Sequence, residues 1–354
     1  MANAHGGQAL AFAQSHQLAI SDILDFSASI NPNTPTIDWE QLAQQAQLQL
    51  SHYPQEYNAE SDSRLKPLLA QTFSLDESDI YLSSGISQAI WQLFRALRPQ
   101  HTLLFTPIYS EYQRCAQAFS QNTLEISLRP QTWMQTNDIP EHSIIVLVNP
   151  CTPQGVFQSP HALRQLLAAA HTQNALCLID ESFLPFVSLD PSDSVRQWLN
   201  QYPNLIVLQS LTKFYACAGV RIGALFSKTH LTPWLPQTWT LSTLDRLWLE
   251  QALTDTEHSL KTQQWLRYEK PKFIKALQSI TLIKQLYPSD ANFILVEFIL
   301  PSADIQAALV PHAILIRDAQ SFGYSANHAR IAIKSPTDNQ RLILALQHIE
   351  GENA

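Results

Sequence analysis

The chain has 354 residues, of which 45% are hydrophobic and 15% are charged, as is typical of a globular protein with a full core. A net charge of −8 excludes a broad attraction to nucleic acid or to anionic membranes, so any phosphate must be recognised locally. The four cysteines lack a metal-binding spacing, no apolar run could span a bilayer, and the first residues lack a signal-peptide pattern, which together favour a cytoplasmic protein.

Apolar spacing predicts two helices near the start of the chain, over 8–19 and 38–50. Between them lies a stretch rich in proline and short polar residues, from Asp25 to Pro35, which we interpret as a loop. Tyr53-Pro54 ends the second helix.

From about residue 60 to 230, short apolar runs alternate with helical patterns. The predicted strands cover 79–82, 102–106, 143–148, 175–179, 204–209 and 220–226. The predicted helices cover 62–73, 86–97, 110–119, 159–171 and 193–200. Strands that are apolar on both faces and separated by helices indicate an α/β fold with a mostly parallel sheet that is covered on both sides.

The remainder of the chain predicts a long helix and a smaller α+β unit. The helix covers 243–278. It is followed by predicted strands over 281–284, 292–298, 312–316 and 329–333, with helices over 303–309 and 337–349. We therefore expect three parts: an N-terminal arm that belongs partly to the small domain (1–50), a large α/β domain (51–240), and a linking helix with the small C-terminal domain (241–354).

A lysine follows the predicted strand 204–209, in the segment Ser210-Leu-Thr212-Lys213, and Arg221 comes eight positions later. Catalytic groups of open α/β sheets collect at the carboxyl ends of the strands. The two hydroxyl groups and the guanidinium could bind a phosphate, and a lysine beside a phosphate suggests an aldehyde cofactor held as a Schiff base. An ordinary surface lysine after a strand is the alternative.

Two further strand ends carry candidate binding groups. Gly85, Ile86 and Ser87 join a strand to a helix, where backbone N–H groups and the Ser87 hydroxyl can bind an anion. Tyr109 follows the next strand and could lie against a planar ring. A capped helix and a core tyrosine are the alternatives.

Polar groups follow the next two strands as well. The segment from Asn149 to Gly155 contains two prolines and is either a rigid turn or a part of the same site. Asp180 ends an apolar strand, where a carboxylate is costly unless it is paired; a protonated pyridine nitrogen would pair with it. A helix-capping aspartate is the alternative.

Two arginines near the end of the chain are flanked by strand-forming residues. Arg317 follows Ile316, and Arg330 precedes Ile331. Because a guanidinium binds carboxylate or phosphate bidentately, the pair suits a substrate with two anionic groups. Surface salt bridges are the alternative.

With these segments together, the chain resembles the fold-type-I pyridoxal phosphate (PLP) enzymes of the class I/II aminotransferase group over nearly its whole length. Within that group it resembles the L-threonine-O-3-phosphate decarboxylases of cobalamin biosynthesis, which are close to the histidinol-phosphate aminotransferases. The motifs that carry this resemblance are His5-Gly6-Gly7, Leu24-Asp-Phe-Ser-Ala-Ser-Ile-Asn31-Pro, Tyr53-Pro54, Asp180-Glu-Ser-Phe183, Ser210-Leu-Thr-Lys-Phe-Tyr215 and Leu315-Ile-Arg317-Asp.

The resemblance implies a role for each candidate. Lys213 would hold the cofactor covalently, Asp180 would bind the pyridine nitrogen, and Tyr109 would stack on the ring. The cofactor phosphate would be held by Gly85, Ile86, Ser87, Ser210, Thr212 and Arg221. Arg330 would bind the substrate carboxylate, while Arg317, His5 and Gly6 would hold the substrate phosphate. Tyr53 would reach the active site of a neighbouring subunit, which implies a homodimer.

Three positions depart from the family pattern. Thr152 stands where an asparagine usually bonds the ring hydroxyl of the cofactor, and Phe183 replaces the aminotransferase tyrosine that shares this task. The ring oxygen would then depend on Asn149 or Thr152. Ser29, a candidate for substrate binding, stands where the decarboxylases usually have asparagine in a Ser-Ala-Asn-Ile-Asn run.

The resemblance therefore implies a PLP-dependent lyase that decarboxylates threonine phosphate to aminopropanol phosphate. The acidic net charge and the lack of a long apolar run argue against a nucleic-acid or membrane partner. An aminotransferase acting on histidinol phosphate or a related amine remains an alternative. A non-catalytic binding protein on the same fold is a second alternative. Residue identities alone do not distinguish the first two, because the outcome depends on which bond to the substrate Cα lies perpendicular to the cofactor ring.

Overall fold

The computed structural model describes residues 6–54, 64–128, 138–235 and 238–352. The strands of this part of the chain are β1 (Leu24–Asp25), β2 (Ile80–Ser83), β3 (His101–Thr106), β4 (Asn122–Ser127), β5 (Ile144–Val148), β6 (Leu176–Asp180), β7 (Leu205–Ser210), β8 (Gly223–Phe226), β9 (Ile283–Leu286), β10 (Phe293–Phe298), β11 (Ile314–Leu315), β12 (Arg317–Asp318) and β13 (His328–Ala332). The helices are α1 (Ala9–His16), α2 (Trp39–Gln49), α3 (Leu65–Phe73), α4 (Ile86–Leu97), α5 (Ser110–Phe119), α6 (Pro160–Thr172), α7 (Leu184–Val187), α8 (Leu211–Phe214), α9 (Thr243–Thr254), α10 (His258–Gln278), α11 (Ser302–Leu309) and α12 (Pro336–Glu352).

The large sheet has the strand order β2-β8-β7-β6-β5-β3-β4 within the described residues. Strands β3 to β7 run parallel to one another, and β8 runs antiparallel to both of its neighbours, β2 and β7. This confirms the predicted α/β fold with a mostly parallel sheet.

Both faces of this sheet are covered, as the uniformly apolar strands predicted. Along β5, Ile145 and Leu147 belong to one hydrophobic cluster, whereas Ile144, Val146 and Val148 belong to the other. Side chains of a strand alternate between its faces, so the two clusters are the two covered sides of one sheet. The carboxyl ends of the parallel strands are thereby brought to one edge.

A smaller antiparallel sheet has the order β12-β13-β10-β9. The N-terminal segment joins this part of the molecule, because β1 pairs in parallel with β11. The backbone N–H of Ala332 donates to Phe26 O at 2.9 Å, which ties the loop after β1 to β13.

The structure corrects several predicted boundaries. The prediction of a single helix over 243–278 is wrong, because α9 ends at Thr254 and α10 begins at His258. Between them, the Asp255 carboxylate accepts hydrogen bonds from the backbone N–H groups of Glu257 and His258 at the start of α10. The predicted helix over 193–200 is a short 3₁₀ turn, Val195–Trp198.

The strands differ from the prediction in two further places. The strand predicted over 220–226 begins only at Gly223, and β4 was not predicted. Five of the six residues of β4 are exposed, so the strand lacks a buried apolar face.

Among the described residues, every helix is too short or too polar to cross a membrane.

Candidate active site

A cavity of about 330 Å³ lies at the carboxyl edge of the large sheet. Its walls include Asp180 at the end of β6 and Ser210 at the end of β7, together with loops that follow β2, β3 and β5. The small sheet contributes Arg317 and Arg330. The predicted site residues that line it are Gly6, Ser29, Gly85, Ile86, Ser87, Tyr109, Thr152, Asp180, Ser210, Thr212, Lys213, Arg221, Arg317 and Arg330.

One end of the cavity is a set of hydrogen-bond donors around the start of α4. Gly85 precedes this 12-residue helix with φ +81° and ψ 150°, a conformation that is essentially restricted to glycine. A Cβ built at Gly85 would lie 2.6 Å from Nη2 of Arg221, so the guanidinium rests against the glycine. The free N–H groups of the first helical turn and this cation together form an anion site.

Hydroxyl groups complete this end of the cavity. The Ser87 Oγ and the Tyr109 Oη lie 3.0 Å apart, and the Ser210 Oγ lies 2.9 Å from the Thr212 Oγ1. Burial raises the pKa of Tyr109, so its hydroxyl stays protonated and can donate. Several hydrogen-bond donors therefore line the same cavity, as the binding of a phosphate dianion requires.

Asp180 is buried, and its two carboxylate oxygens are held by neighbouring groups. Tyr112 Oη donates to Oδ2 at 2.9 Å, and the backbone N–H of Ser182 donates to Oδ1 at 2.9 Å. Each oxygen can accept a second hydrogen bond, so the carboxylate can also pair with a protonated ring nitrogen. Burial raises the pKa of Tyr112, with the Asp180 charge acting in the same direction, so Tyr112 remains a donor.

Lys213 lies in α8, directly after β7. Burial lowers the pKa of Lys213 to about 8; the positive charges of Arg330 and Arg221 also lower it, and the Asp180 carboxylate opposes the shift. The Nζ lies 5.1 Å from the centre of the Phe183 ring. The amine is thus near Asp180 and is neutral in a large fraction of molecules at mildly alkaline pH.

The two predicted arginines face each other across neighbouring strands. Arg317 in β12 is the direct partner of Arg330 in β13. Arg330 Nη1 donates to Thr152 Oγ1 at 3.0 Å, and Nη2 donates to Ser27 O at 2.8 Å. Burial lowers the pKa of Arg330 to about 9, repulsion from Arg317 acts in the same direction, and Asp25 opposes both. Like charges directly opposite each other destabilise a sheet, so a ligand that is anionic at both points would relieve the repulsion.

The candidates Asn149, Ser29 and Tyr53 are placed differently with respect to this cavity. The side-chain amide of Asn149 is occupied by the backbone of Gln158, to which Nδ2 donates at 2.8 Å and from which Oδ1 accepts at 2.7 Å, so Asn149 does not line the cavity. Ser29 lines it, but its Oγ is buried and has no hydrogen-bond partner among the described residues. Tyr53 is 77% exposed and stacks on Trp239 outside the cavity. The predicted His5 lies outside the described residues.

Other site residues were not found from the sequence. Tyr112 stands one helical turn after Tyr109, and that spacing is the only signal that places it on the same side of α5. Ser182 Oγ accepts from the backbone N–H of Ser210 and so joins the ends of β6 and β7. Asn31 donates to Phe214 O and Thr262 Oγ1, which fixes the loop after β1 against α8 and α10.

A mostly parallel sheet with a buried lysine, an acid on the next strand and an anion site at a helix start defines a PLP-dependent enzyme of fold type I. The chain belongs to the aminotransferase class I and II family, whose model matches residues 21–348. The chain is therefore a PLP-dependent enzyme, and the alternative of a non-catalytic binding protein is set aside.

Individual relatives cover between 82% and 98% of the chain. Threonine-phosphate decarboxylase of Salmonella typhimurium is 29% identical over 364 residues, which cover 98% of this chain and 96% of that protein. Histidinol-phosphate aminotransferase of Flavobacterium psychrophilum is 28% identical over 301 residues, or 82% and 85% of the two chains. The solved histidinol-phosphate aminotransferase from Clostridium acetobutylicum has the same fold, with a TM-score of 0.81 at 24% identity over 93% of this chain and 100% of that chain.

The residues present fit the cofactor that the family uses. A Cβ at Gly85 would meet the guanidinium of Arg221, and the hydroxyl groups of Ser87, Tyr109, Ser210 and Thr212 line the same cavity. A dianion fits this donor set, and the acid and amine needed for the ring and the aldehyde of PLP both line the same cavity.

Proposed function

We propose that this enzyme decarboxylates an O-phosphorylated amino acid, L-threonine O-3-phosphate, to 1-aminopropan-2-ol phosphate for cobalamin biosynthesis. The observation that carries the proposal is the pair of arginines on β12 and β13, which are direct neighbours and both line the cavity. A substrate with a carboxylate and a phosphate would give each guanidinium its own anion. The similarity to the Salmonella decarboxylase over 98% of the chain supports the same reading.

The proposed cofactor contacts follow the geometry of the cavity. Asp180 would hold the ring nitrogen in its protonated form, Tyr109 would lie against the ring, and Lys213 would hold the cofactor covalently. The cofactor phosphate would be held by Gly85, Ile86, Ser87, Ser210, Thr212 and Arg221. When bound, PLP supplies an electron-withdrawing ring that stabilises negative charge at the substrate Cα.

The task of Arg330 in this scheme is to orient the substrate carboxylate. Two hydrogen bonds, to Thr152 and to the backbone of Ser27, fix the plane of its guanidinium. A fixed fork holds a carboxylate in one orientation, so it can keep the bond to CO2 perpendicular to the cofactor ring, as decarboxylation requires. Arg317 would hold the phosphate with His5 and Gly6.

Lys213 would deliver the proton that replaces CO2 at Cα. Its lowered pKa, about 8, suits an acid and base that works near neutral pH. The apolar ring of Phe183 beneath the amine supplies no competing hydrogen-bond acceptor.

Thr152 is the group that we assign to the cofactor ring oxygen. Asn149 is hydrogen-bonded to the backbone of Gln158 and does not line the cavity, and Phe183 has no hydroxyl. The Thr152 hydroxyl accepts from Arg330 and keeps its own proton to donate.

The assembly and the domain division are further parts of the proposal. Because Tyr53 is exposed and lies outside the cavity of its own chain, we propose that it completes the site of the second subunit in a homodimer. We also propose the division into an arm (1–50), a large domain (51–240) and a linking helix with the small domain (241–354).

The competing candidate is an aminotransferase acting on histidinol phosphate, which the Flavobacterium relative supports. The arginine pair is compatible with both activities, because the keto acid that accepts the amino group in transamination also carries a carboxylate for Arg330. The match to the Salmonella decarboxylase covers 98% of the chain, against 82% for the Flavobacterium aminotransferase, and this supports decarboxylation. The test is to incubate the holoenzyme with phosphothreonine and, separately, with histidinol phosphate plus a keto acid. We expect CO2 and aminopropanol phosphate from the first mixture, with Lys213→Ala as the inactive control. A keto product and cofactor converted to its amine form would refute the decarboxylase proposal.

A further inference from the structure

Next to the proposed phosphate-binding arginine, an aromatic side chain forms one wall of the cavity. Phe322 lines the cavity, and its ring centre lies 5.4 Å from Cζ of Arg317. The other apolar residues lining the cavity at the loop after β1 are Ala28 and Ile30. Phe322 is therefore a large apolar surface directly beside Arg317.

The turn that carries Phe322 is held in place on several sides. The Asp318 carboxylate accepts from the backbone N–H of Gln320 at 2.6 Å and from the Ser302 Oγ at 2.8 Å. Arg317 Nη2 donates to the Ser321 Oγ at 2.7 Å. Gly323 ends the turn with φ +86°, which L side chains rarely adopt. The wall is thus fixed before a substrate binds, as a specificity surface requires.

The position of the two arginines determines which substrate atom meets this wall. With the carboxylate on Arg330 and the phosphate on Arg317, the carbon chain of the substrate must run between two directly opposed residues. The ester carbon is joined to the phosphate through one oxygen, so it is the part of the chain nearest to Arg317 and to the ring beside it. A methyl group on that carbon would bury against Phe322, whereas a hydrogen would leave a gap.

We propose that Phe322 is a specificity-determining residue that makes the enzyme prefer the phosphate ester of a secondary alcohol over that of a primary alcohol, that is, phosphothreonine over phosphoserine. This inference rests on the proposed decarboxylase function and adds the choice of substrate to it. An apolar pocket that recognises one extra methyl group discriminates by about 10- to 200-fold.

The test compares kcat/KM for CO2 release from the two phosphoamino acids in the holoenzyme. We expect the wild type to prefer phosphothreonine by about tenfold or more, Phe322→Ala to lose most of this preference, and Phe322→Leu to keep much of it. The matched control is Tyr324→Ala, just after the turn and two residues further along the chain, whose ring packs on His328 and does not line the cavity. The control substitution should change kcat/KM for both substrates by the same factor.

The outcomes separate the two levels of the proposal. A wild-type enzyme that acts on both substrates equally, or a Phe322→Ala variant that lowers both values by the same factor, would overturn the role of Phe322 while leaving the decarboxylase function intact. A wild type that releases no CO2 from either substrate would overturn the decarboxylase function, and the specificity role with it. The ratio is insensitive to partial unfolding, because unfolded molecules act on neither substrate.

Discussion

Replacing Gly85 by alanine tests the anion site at the start of α4. The added Cβ would lie 2.6 Å from Nη2 and 3.1 Å from Cζ of Arg221, so the guanidinium must move. If it then loses one charge-assisted hydrogen bond to the cofactor phosphate, binding weakens by about 1.5–3 kcal/mol. Arg221 is exposed, so solvent screening favours the lower end of that range. The dissociation constant of PLP should therefore rise about tenfold to a hundredfold.

The same substitution also strains the backbone. Alanine at φ +81° and ψ 150° costs of the order of 1–3 kcal/mol in folding free energy. The two effects separate if PLP binding to the apoprotein is titrated by absorbance and unfolding is measured independently in urea. Gly219→Ala is the matched control, because a Cβ there meets no atom within 4 Å and the residue lies two positions before Arg221.

A double-mutant cycle makes the test specific. In an Arg221→Ala background the clash is gone, so Gly85→Ala should weaken PLP binding far less than it does in the wild type. The account of the anion site would be refuted if Gly85→Ala bound PLP like the Gly219→Ala control, or if its effect were the same with and without Arg221.

Three further predictions concern the acid, the amine and the second subunit. In the apoenzyme, the rate of PLP capture should rise with pH with a midpoint of about 8, because only the neutral Lys213 amine reacts. Asp180→Asn should lower this midpoint, because the Asp180 carboxylate raises the pKa of the lysine. A midpoint near 10.5 in the wild type would contradict this prediction. Tyr112→Phe removes the hydrogen-bond donor to Asp180 Oδ2, so it should lower the free energy of unfolding by about 1.5–3 kcal/mol and should also lower kcat. A variant with the wild-type free energy of unfolding and the wild-type kcat would show that this hydrogen bond is unimportant. Subunits carrying Tyr53→Ala or Lys213→Ala should each have low activity, and mixing them should restore activity in the mixed dimer; no recovery after subunit exchange would argue against a shared site.

The chemistry at the strand ends could be predicted from the sequence because each group follows its own apolar run. Asp180 and Ser210 terminate neighbouring parallel strands, and parallel strands bring their carboxyl ends to one edge. The approach of Arg317 to Arg330 could not be predicted in this way, since it depends on the register of an antiparallel pair separated by a turn.

The failures have local physical causes. Asn149 was assigned to the cofactor because it follows a strand, yet its amide is hydrogen-bonded to the backbone of Gln158 across the turn and does not line the cavity. The break before α10 depends on Asp255, whose carboxylate also accepts from the backbone N–H of Thr36 at 2.7 Å, a contact more than two hundred residues away in sequence. Periodicity carries no information about such partners.

Covalent attachment of PLP to Lys213 is the central claim, and borohydride reduction of the holoenzyme followed by peptide mass mapping tests it directly. Reduction fixes the cofactor to the amine that holds it. The mass of the phosphopyridoxyl group should appear on the peptide that contains Lys213, and the Lys213→Ala protein should carry none. A modified peptide from elsewhere in the chain, or an unmodified protein despite visible cofactor absorption, would contradict the central claim.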